Sequence, residues 1–253
     1  MEHIKRVLSY TRRAVDDYNM IEEGDRVAVG ISGGKDSTTL LCALADLRRF
    51  YPKKFDIVAI TIDMGFEGSD YSAVAEFCDK IGVEYRVIPT QISTVIFDVR
   101  KESNPCSLCA KMRRGALHSA AKELGCNRVA LGHHFDDVVE TFMMNLFFEG
   151  RLGCFQPVTY LSRRDIYLIR PMIYMPEKDV RYFASKADLP VVKSLCPADG
   201  NTEREEMKKL LASLERQNKG LRYRIFGAIQ RGEIDGFREF GRMEGMKNYT
   251  DEE

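Results

Sequence analysis

Residues 32–37, which read Ser-Gly-Gly-Lys-Asp-Ser, combine the residue types that a phosphate-binding turn needs. They follow the apolar run 26–31, which is typical of a buried strand, and Ser37 opens an amphipathic helical pattern. Paired glycines allow the main chain to turn sharply and approach a ligand, and the N–H groups that begin a helix attract anions. Lys35 adds a positive charge suited to phosphate. The segment therefore predicts a phosphate or pyrophosphate site, the alternative being a glycine turn without a ligand.

The spacing within this turn excludes two common nucleotide-binding loops. From Gly30 to Gly34 the chain is one residue too short for G-x-x-x-x-G-K-[ST], and Asp36 stands where that loop needs Ser or Thr. The dinucleotide pattern G-x-G-x-x-G does not fit either. The pattern S-G-G-x-D-S instead resembles the PP-loop of the N-type ATP pyrophosphatases. That resemblance implies cleavage of ATP between its α and β phosphates, transfer of AMP to a substrate oxygen and release of pyrophosphate.

A cysteine pair, Cys106 and Cys109, stands at the predicted start of a helix, where N–H groups favour thiolate. A lone C-x-x-C is compatible with a redox pair, with half of a metal site or with coincidence. A thioredoxin-type pair would follow the first strand of a small βαβ domain, and a Cys₄ zinc site would need a second C-x-x-C. Neither pattern is present in the sequence. Cys154 and Cys196 remain as possible partners, and three thiolates around a metal centre would leave one coordination position open.

A third polar group, residues 132–137, reads Gly-His-His-Phe-Asp-Asp after a predicted strand. Asp136 and Asp137 could hold Mg²⁺ on ATP, since Mg²⁺ prefers one or two carboxylates together with phosphate oxygens. Alternatively, one of them is the N-cap of the next helix, and both roles can coexist. His133 and His134 could polarise a substrate group or hold a carboxylate. They are poor zinc ligands, because adjacent residues on a strand point to opposite faces.

The elements that must position these groups alternate between strand and helix along the chain. This alternation predicts an α/β fold with a doubly wound, mostly parallel five-stranded sheet, an N-terminal helix and C-terminal helices. The predicted strands cover residues 26–31, 55–63, 83–89, 127–133 and 165–170. Open sheets of this kind bind ligands at the carboxyl ends of their strands. The phosphate turn, Asp63 and residues 132–137 all fall at such ends, which predicts a single active site.

Composition and charge narrow the function classes. The chain has 253 residues, of which 44% are hydrophobic and 30% charged, and its zero net charge creates no global basic field. No apolar run approaches the ~20 residues of a membrane span, and the N-terminus lacks a signal-peptide pattern, which favours a cytoplasmic protein without membrane contact. Seven cysteines, an odd number, argue against a disulfide framework. The predicted units are a lead-in helix over 1–25, a catalytic domain over 26–200, a helical segment over 201–231 and a flexible tail over 232–253.

Motifs spread over nearly the whole chain resemble the tRNA 2-thiocytidine synthetases, the TtcA family. These motifs are residues 20–26 before the phosphate turn, 105–109 with 113–115, 131–137 with Glu140, Thr141 and Asn145, and 170–174 with 177–179 and Cys196. The resemblance implies a [4Fe-4S] cluster held by Cys106, Cys109 and Cys196. It also implies a homodimer, tRNA as the substrate and a sulfur donor such as a cysteine desulfurase or sulfide. Residues 191–195 lack the additional cysteine of many members, which leaves the target nucleotide open.

The same resemblance implies which residues bind ATP and which are catalytic. ATP would place its triphosphate on the phosphate turn and its adenine against the main chain near Asp63. The predicted ATP-binding residues are Ser32, Gly33, Gly34, Lys35, Asp36, Ser37, Asp63, Gly132, His133 and Asp136. Lys35 and Mg²⁺ would neutralise the departing pyrophosphate while a pyrimidine C2 oxygen, that of cytidine above all, takes AMP and is then replaced by sulfide. The predicted catalytic residues are Lys35, Asp36, Cys106, Cys109, Arg113, Asp137 and Cys196.

Three other functions share parts of these motifs. A lysidine-synthetase-like tRNA amidoligase would use the phosphate turn and residues 132–137 but would need neither the C-x-x-C pair nor Cys196. A zinc-bearing thiouridine synthetase would need further Cys and His pairs near the termini, which the sequence lacks. A non-catalytic, ATP-dependent RNA-binding protein would leave the cysteines unexplained.

Overall fold

The sheet of this protein has its parallel strands at the centre and one antiparallel strand at an edge. The structure is a computed structural model that describes residues 3–100, 105–192, 195–197 and 203–240. Within these residues the strands are β1 (Asp25–Gly30), β2 (Phe55–Asp63), β3 (Glu84–Pro89), β4 (Arg128–Ala130), β5 (Val158–Leu161) and β6 (Ile166–Ile169). Their order is β3-β2-β1-β4-β6-β5, and only β5 runs antiparallel to its neighbour. The predicted α/β fold is confirmed, but the described sheet has six strands rather than five.

The helices pack on both sides of this sheet. In the described residues they are α1 (Ile4–Asp17), α2 (Lys35–Leu47), α3 (Ser72–Ile81), α4 (Ile92–Thr94), α5 (Pro105–Glu123), α6 (Phe135–Phe148), α7 (Glu177–Lys186), α8 (Glu203–Gln217) and α9 (Leu221–Arg231). The helical segment predicted over 201–231 is divided, because Gly220 takes a left-handed φ of 80° before α9. No described helix combines the length and apolar character that a membrane span requires.

Alternation along the central strands explains why both faces are covered. Val27 and Val29 of β1 belong to one buried cluster with α1, α2, α6 and α7, whereas Ala28 belongs to the opposite cluster with α4 and α5. Successive side chains of a strand point to opposite faces, so a strand that is apolar throughout needs helices on each side. This packing holds the strand ends, and therefore the turns that follow them, in fixed relative positions.

The strand order reverses between β1 and β4, and the turns after these two strands touch. A Cβ on Gly132, just beyond β4, would lie 3.0 Å from the main-chain carbon of Asp36 and from the nitrogen of Ser37. Only glycine leaves room for this approach between the two turns. Ligands of open α/β sheets bind at such a reversal point, so the fold brings the phosphate turn and residues 132–137 together.

Part of the predicted tail is packed rather than flexible. Phe237 is fully buried, with its ring centroid 5.6 Å from that of Phe226 on α9 and 6.2 Å from that of Tyr18. The prediction of a flexible tail is therefore wrong for residues 232–240, where an aromatic side chain completes the core beneath α9. Residues 241–253 lie outside the described part of the chain, and the predicted domain boundaries stay predictions.

Candidate active site

The phosphate turn leaves the first N–H groups of α2 without a capping side chain. The Ser37 hydroxyl donates to the carbonyl oxygen of Gly34 at 3.0 Å and accepts from the Ser32 main-chain nitrogen at 3.1 Å. Gly33 has a φ of 81°, a conformation that favours glycine. The N-cap of α2 is Gly34, which has no side chain to cover the first N–H groups of the helix. The turn therefore presents the bare helix N-terminus that binds phosphate groups.

Lys35 is held by two carboxylates. Its ammonium nitrogen lies 2.9 Å from Asp36 Oδ1 and 3.1 Å from Glu177 Oε1 of α7. Burial favours the protonated form of Glu177, but hydrogen bonds from Arg181 and Lys35 outweigh it and lower the pKa of Glu177 to about 2. A carboxylate that stays ionised keeps the lysine charged and directed beside the turn.

Two adjoining cavities open around the turn. The first, here the loop cavity, has a volume of about 640 Å³ and extends from Ser32 and Ser37 past His133 to Arg170. The second, here the cysteine cavity, has a volume of about 610 Å³ and extends from Ser32 to Cys106. Five residues line both cavities, namely Ile31, Ser32, Ile62, Ala110 and Arg113. A ligand at the phosphate turn is therefore next to both spaces, with Arg113 at their common wall.

Cys106, Cys109 and Cys196 all line the cysteine cavity. Burial raises the pKa of the Cys109 thiol, Arg113 opposes this, and the Cys196 and Cys106 thiols raise it further. Within the described residues, no three His, Cys, Asp or Glu side chains are grouped closely enough to hold a single metal ion. A [4Fe-4S] cluster is wider than one ion and binds each cysteine through a different iron. Three thiols around one cavity therefore fit an iron–sulfur cluster.

The segment that leads to Cys196 is attached to the phosphate turn. The Val192 main-chain N–H donates to the carbonyl oxygen of Gly33 at 2.9 Å. A Cβ on Gly33 would lie 2.8 Å from the Cβ of Val192, so the valine side chain covers the turn where glycine leaves space. The turn is thus in main-chain contact with Val192, four positions before one of the three thiols.

Comparison with known proteins agrees with this geometry. Residues 7–212 match a family model described as the PP-loop domain. The tRNA-cytidine(32) 2-sulfurtransferase of Geobacter metallireducens is 42% identical over 220 residues, which cover 86% of each chain. That of Syntrophotalea carbinolica is 40% identical over 228 residues, covering 89% of this chain and 88% of the relative. The chain belongs to the TtcA family of PP-loop proteins.

Solved structures place the same fold around the PP-loop. The U34-tRNA thiolase NcsA from Methanococcus maripaludis with its [4Fe-4S] cluster superimposes with a TM-score of 0.75 at 28% identity, covering 90% of this chain and 78% of that chain. The NH₃-dependent NAD synthetase from Campylobacter jejuni shares the fold with a TM-score of 0.50 at 12% identity, covering 96% of this chain and 99% of that chain.

Neither of the two aspartates after β4 is the N-cap of the next helix. His134 is the N-cap of α6, and its Nδ1 accepts from the Asp137 main-chain nitrogen while Asp137 Oδ2 accepts from the His134 nitrogen. Asp137 thus completes a capping box, and the prediction that Asp136 or Asp137 caps the helix is wrong. Asp136 accepts from the Glu177 main-chain nitrogen at 2.7 Å and from Arg222 at 2.6 Å, which joins α7 and α9. Magnesium at these carboxylates stays a prediction.

Other members of the predicted site lie at the two cavities or beside them. Asp137 and His133 line the loop cavity, and burial, reinforced by Arg170, lowers the pKa of His133 to about 4. The Asp63 carboxylate instead accepts from the Gly65 main-chain nitrogen at 3.1 Å and from the Tyr71 hydroxyl at 3.3 Å. Its neighbours Ile62 and Met64 line the cysteine cavity. The Asp63 carboxylate is thus engaged by residues of its own loop, and adenine binding against the main chain near Asp63 stays a prediction.

Three residues at the site were not predicted to have a role there. Glu177 pairs with Lys35, Arg204 lies 3.0 Å from Asp137 Oδ1 while lining the loop cavity, and Arg170 lines the same cavity from the end of β6. The position of Arg170 at a strand end was a signal that the carboxyl-end rule could have used. Nothing in the local sequence indicates that α8 returns Arg204 to the site.

Glu140 gives a prediction for pH dependence. It is fully buried on α6, 3.6 Å from Arg204 and 3.7 Å from Arg222, and burial raises its pKa to about 7 from an ordinary 4.5. The folded protein therefore holds this proton to higher pH than the unfolded chain, and wild type loses stability as pH rises from 4.5 to 7. Glu140→Gln removes that loss, so we expect it to exceed wild type at pH 8 by up to roughly 3 kcal/mol.

Urea unfolding of both proteins between pH 4 and pH 8 measures this difference. The advantage of Glu140→Gln should shrink as pH falls to 4.5 and disappear below it, where the wild-type carboxyl is protonated in both states. The exposed Glu123 of α5 offers a matched control, because Glu123→Gln should change stability equally little at every pH. A variant less stable than wild type throughout would show that the two arginines need the ionised carboxylate.

Proposed function

We propose that this protein is an ATP-dependent tRNA sulfurtransferase that replaces the C2 oxygen of a tRNA cytidine with sulfur. The observation that carries the proposal is the junction of the two cavities at Ser32 and Arg113. One cavity contains the phosphate turn of an AMP-transferring enzyme, and the other contains three thiols. Relatives that carry the name tRNA-cytidine(32) 2-sulfurtransferase support cytidine at position 32 as the target.

In the first step the turn binds and activates ATP. Main-chain N–H groups at the start of α2 hold the triphosphate, and Lys35 offsets charge on the departing pyrophosphate, with Mg²⁺ as the expected counterion. The cytidine O2 attacks the α-phosphate, the bond between the α and β phosphates breaks, and the base carries AMP on O2. Arg113, at the common wall, stabilises negative charge on the transferred phosphate.

In the second step the C2–O bond is exchanged for a C2–S bond. Cys106, Cys109 and Cys196 would hold a [4Fe-4S] cluster, and that cluster would supply a binding position for sulfide. Sulfide attacks C2, and AMP leaves with the former O2, so the net reaction consumes ATP and sulfide and yields AMP and pyrophosphate. The three cysteines keep the sulfur next to the phosphate turn, and the shared wall limits the distance that the activated base must move.

The decisive experiment combines metal analysis with product analysis on anaerobically purified protein. We expect iron and acid-labile sulfide, and, with ATP, sulfide and unmodified tRNA, equal amounts of 2-thiocytidine, AMP and pyrophosphate by mass spectrometry. Zinc or no metal together with a lysine-modified base would establish the amidoligase. ATP binding without any product would indicate a non-catalytic RNA-binding protein. A sulfur-donor protein, a homodimer and a cytoplasmic location belong to the same proposal.

A further inference from the structure

The far end of the loop cavity contains a buried cation without a counter-ion. Arg170 follows β6 directly, is 7% exposed and lines the cavity. Its Nη1 donates to the Gln156 carbonyl oxygen at 2.5 Å and, at 3.4 Å, to the Thr159 hydroxyl. Its Nε has no acceptor, and among the described residues no carboxylate pairs with it. A buried charge is costly unless it is paired, so this guanidinium, which the protein satisfies only in part, is suited to a ligand as well as to its contacts with Gln156 and Thr159.

The surroundings of Arg170 suit a flat, uncharged heterocycle. The guanidinium lies 4.9 Å from the ring centroid of Phe155, and the His133 imidazole lies 4.8 Å from the same ring. Leu131 and Leu168 line the same part of the cavity. Apolar walls with a few fixed polar groups are typical of sites for small planar ligands. Arg114, by contrast, is an exposed cation at this cavity, and its charge is solvated by water.

We propose that this end of the loop cavity binds the target cytosine and that the Arg170 guanidinium donates hydrogen bonds to its N3 and O2 atoms. The proposal rests on the sulfurtransferase function above and names the residue that selects its base. Arginine donates and never accepts. Cytosine presents two adjacent acceptors, N3 and O2, whereas uracil carries a hydrogen on N3 and adenine alternates donor and acceptor along that edge. A guanidinium therefore matches cytosine and opposes the other two bases.

The same contact directs the chemistry to O2. The N3 lone pair is the more basic site of cytosine and would compete for the α-phosphate of ATP. A hydrogen bond from Arg170 occupies that lone pair, and it leaves one lone pair of O2 available for attack. Arg170 touches the reacting base in this arrangement, so it acts both in specificity and in the choice of nucleophilic atom.

The test compares Arg170→Gln and Arg170→Lys with wild type on anticodon stem-loop RNAs that carry either C or U at the target position. Glutamine presents an NH₂ donor group and a carbonyl acceptor, whereas lysine keeps the positive charge but lacks the planar pair of N–H donors of arginine. We expect both variants to lower the ratio of thiolated C to thiolated U by about 10- to 100-fold, the usual value of a paired base contact. Fluorescence anisotropy should show the same loss of preference in RNA binding without turnover. ATP affinity and iron content should match wild type.

The outcomes separate this proposal from the proposed function. Arg163, exposed in the β5–β6 turn, supplies the control, and Arg163→Gln should keep the wild-type ratio. If the Arg170 variants lose activity on both RNAs equally, or if only their KM for ATP rises, Arg170 does not read the base and the proposal is overturned. If wild type itself makes no thionucleoside yet binds C over U through Arg170, the sulfurtransferase function fails while the base subsite stands.

Discussion

Cys196→Ala is expected to abolish both bound iron and thiolated product while the phosphate turn still binds ATP. Cys196 lines the cysteine cavity with Cys106 and Cys109, whereas the phosphate turn uses no thiol. Removing one of three ligands leaves only two to hold the cluster. The loss of iron affinity and activity should therefore exceed the roughly 10- to 100-fold that follows mutation of a residue that merely supports a metal ligand. Iron and acid-labile sulfide analysis, thionucleoside mass spectrometry and ATP binding by calorimetry measure the three quantities.

Cys154→Ala is the matched control for this variant. Cys154 is half-buried like Cys196 but lies outside the cysteine cavity, and burial raises the pKa of its thiol to about 12. We expect it to keep full iron and full activity. If Cys196→Ala retained both as well, the three-ligand cluster would have to be abandoned, and the amidoligase would become the better explanation.

Gly33→Ala is expected to impair ATP use and thiolation together. Gly33 has a φ of 81°, where a side chain costs about 1–2 kcal/mol, and the new Cβ would lie 2.8 Å from the Cβ of Val192. Either the phosphate turn or the Val192 segment must move. A displacement of about 1 Å in an active site can reduce the rate about 100-fold, so we expect a loss of that order in kcat/KM for ATP.

Gly24→Ala separates the clash from backbone strain. Gly24 also has a φ of 81°, but a Cβ there would meet nothing within 4 Å. Both variants should lose similar stability in urea unfolding, and only Gly33→Ala should lose iron and activity. Equal kinetic losses in the two variants, or wild-type kinetics in Gly33→Ala, would show that the contact with Val192 has no functional weight.

The sequence was sufficient to predict the parts of the site that are local in the chain. The phosphate turn, the C-x-x-C pair and residues 132–137 each consist of neighbours, and the rule about strand ends brought the turns together. The short edge strand β5 was missed because four residues carry little periodicity. His134 was not expected as an N-cap, since serine, threonine, asparagine and aspartate are the usual residues there.

The unpredicted site residues share one physical cause, which is tertiary contact over long sequence distance. Lys35 meets Glu177 of α7, and Asp137 meets Arg204 of α8. No local pattern records which helix face will lie against a turn that precedes it by 67 residues, as for Asp137 and Arg204, or by more than twice that number, as for Lys35 and Glu177. The buried Phe237 is a further example, because its aromatic partners Tyr18 and Phe226 come from opposite ends of the chain.

The hydrogen bond from Val192 to Gly33 is expected to couple nucleotide binding at the phosphate turn to cluster binding in the cysteine cavity. Val192 precedes Cys196 by four residues, so we expect nucleotide binding at the turn to affect the binding of a cluster by the third thiol. By thermodynamic linkage, if a bound cluster raises the affinity for nucleotide, bound nucleotide raises the affinity for the cluster by the same factor. Protein that lacks iron should therefore bind ATP more weakly, and ATP should slow the loss of iron to a chelator.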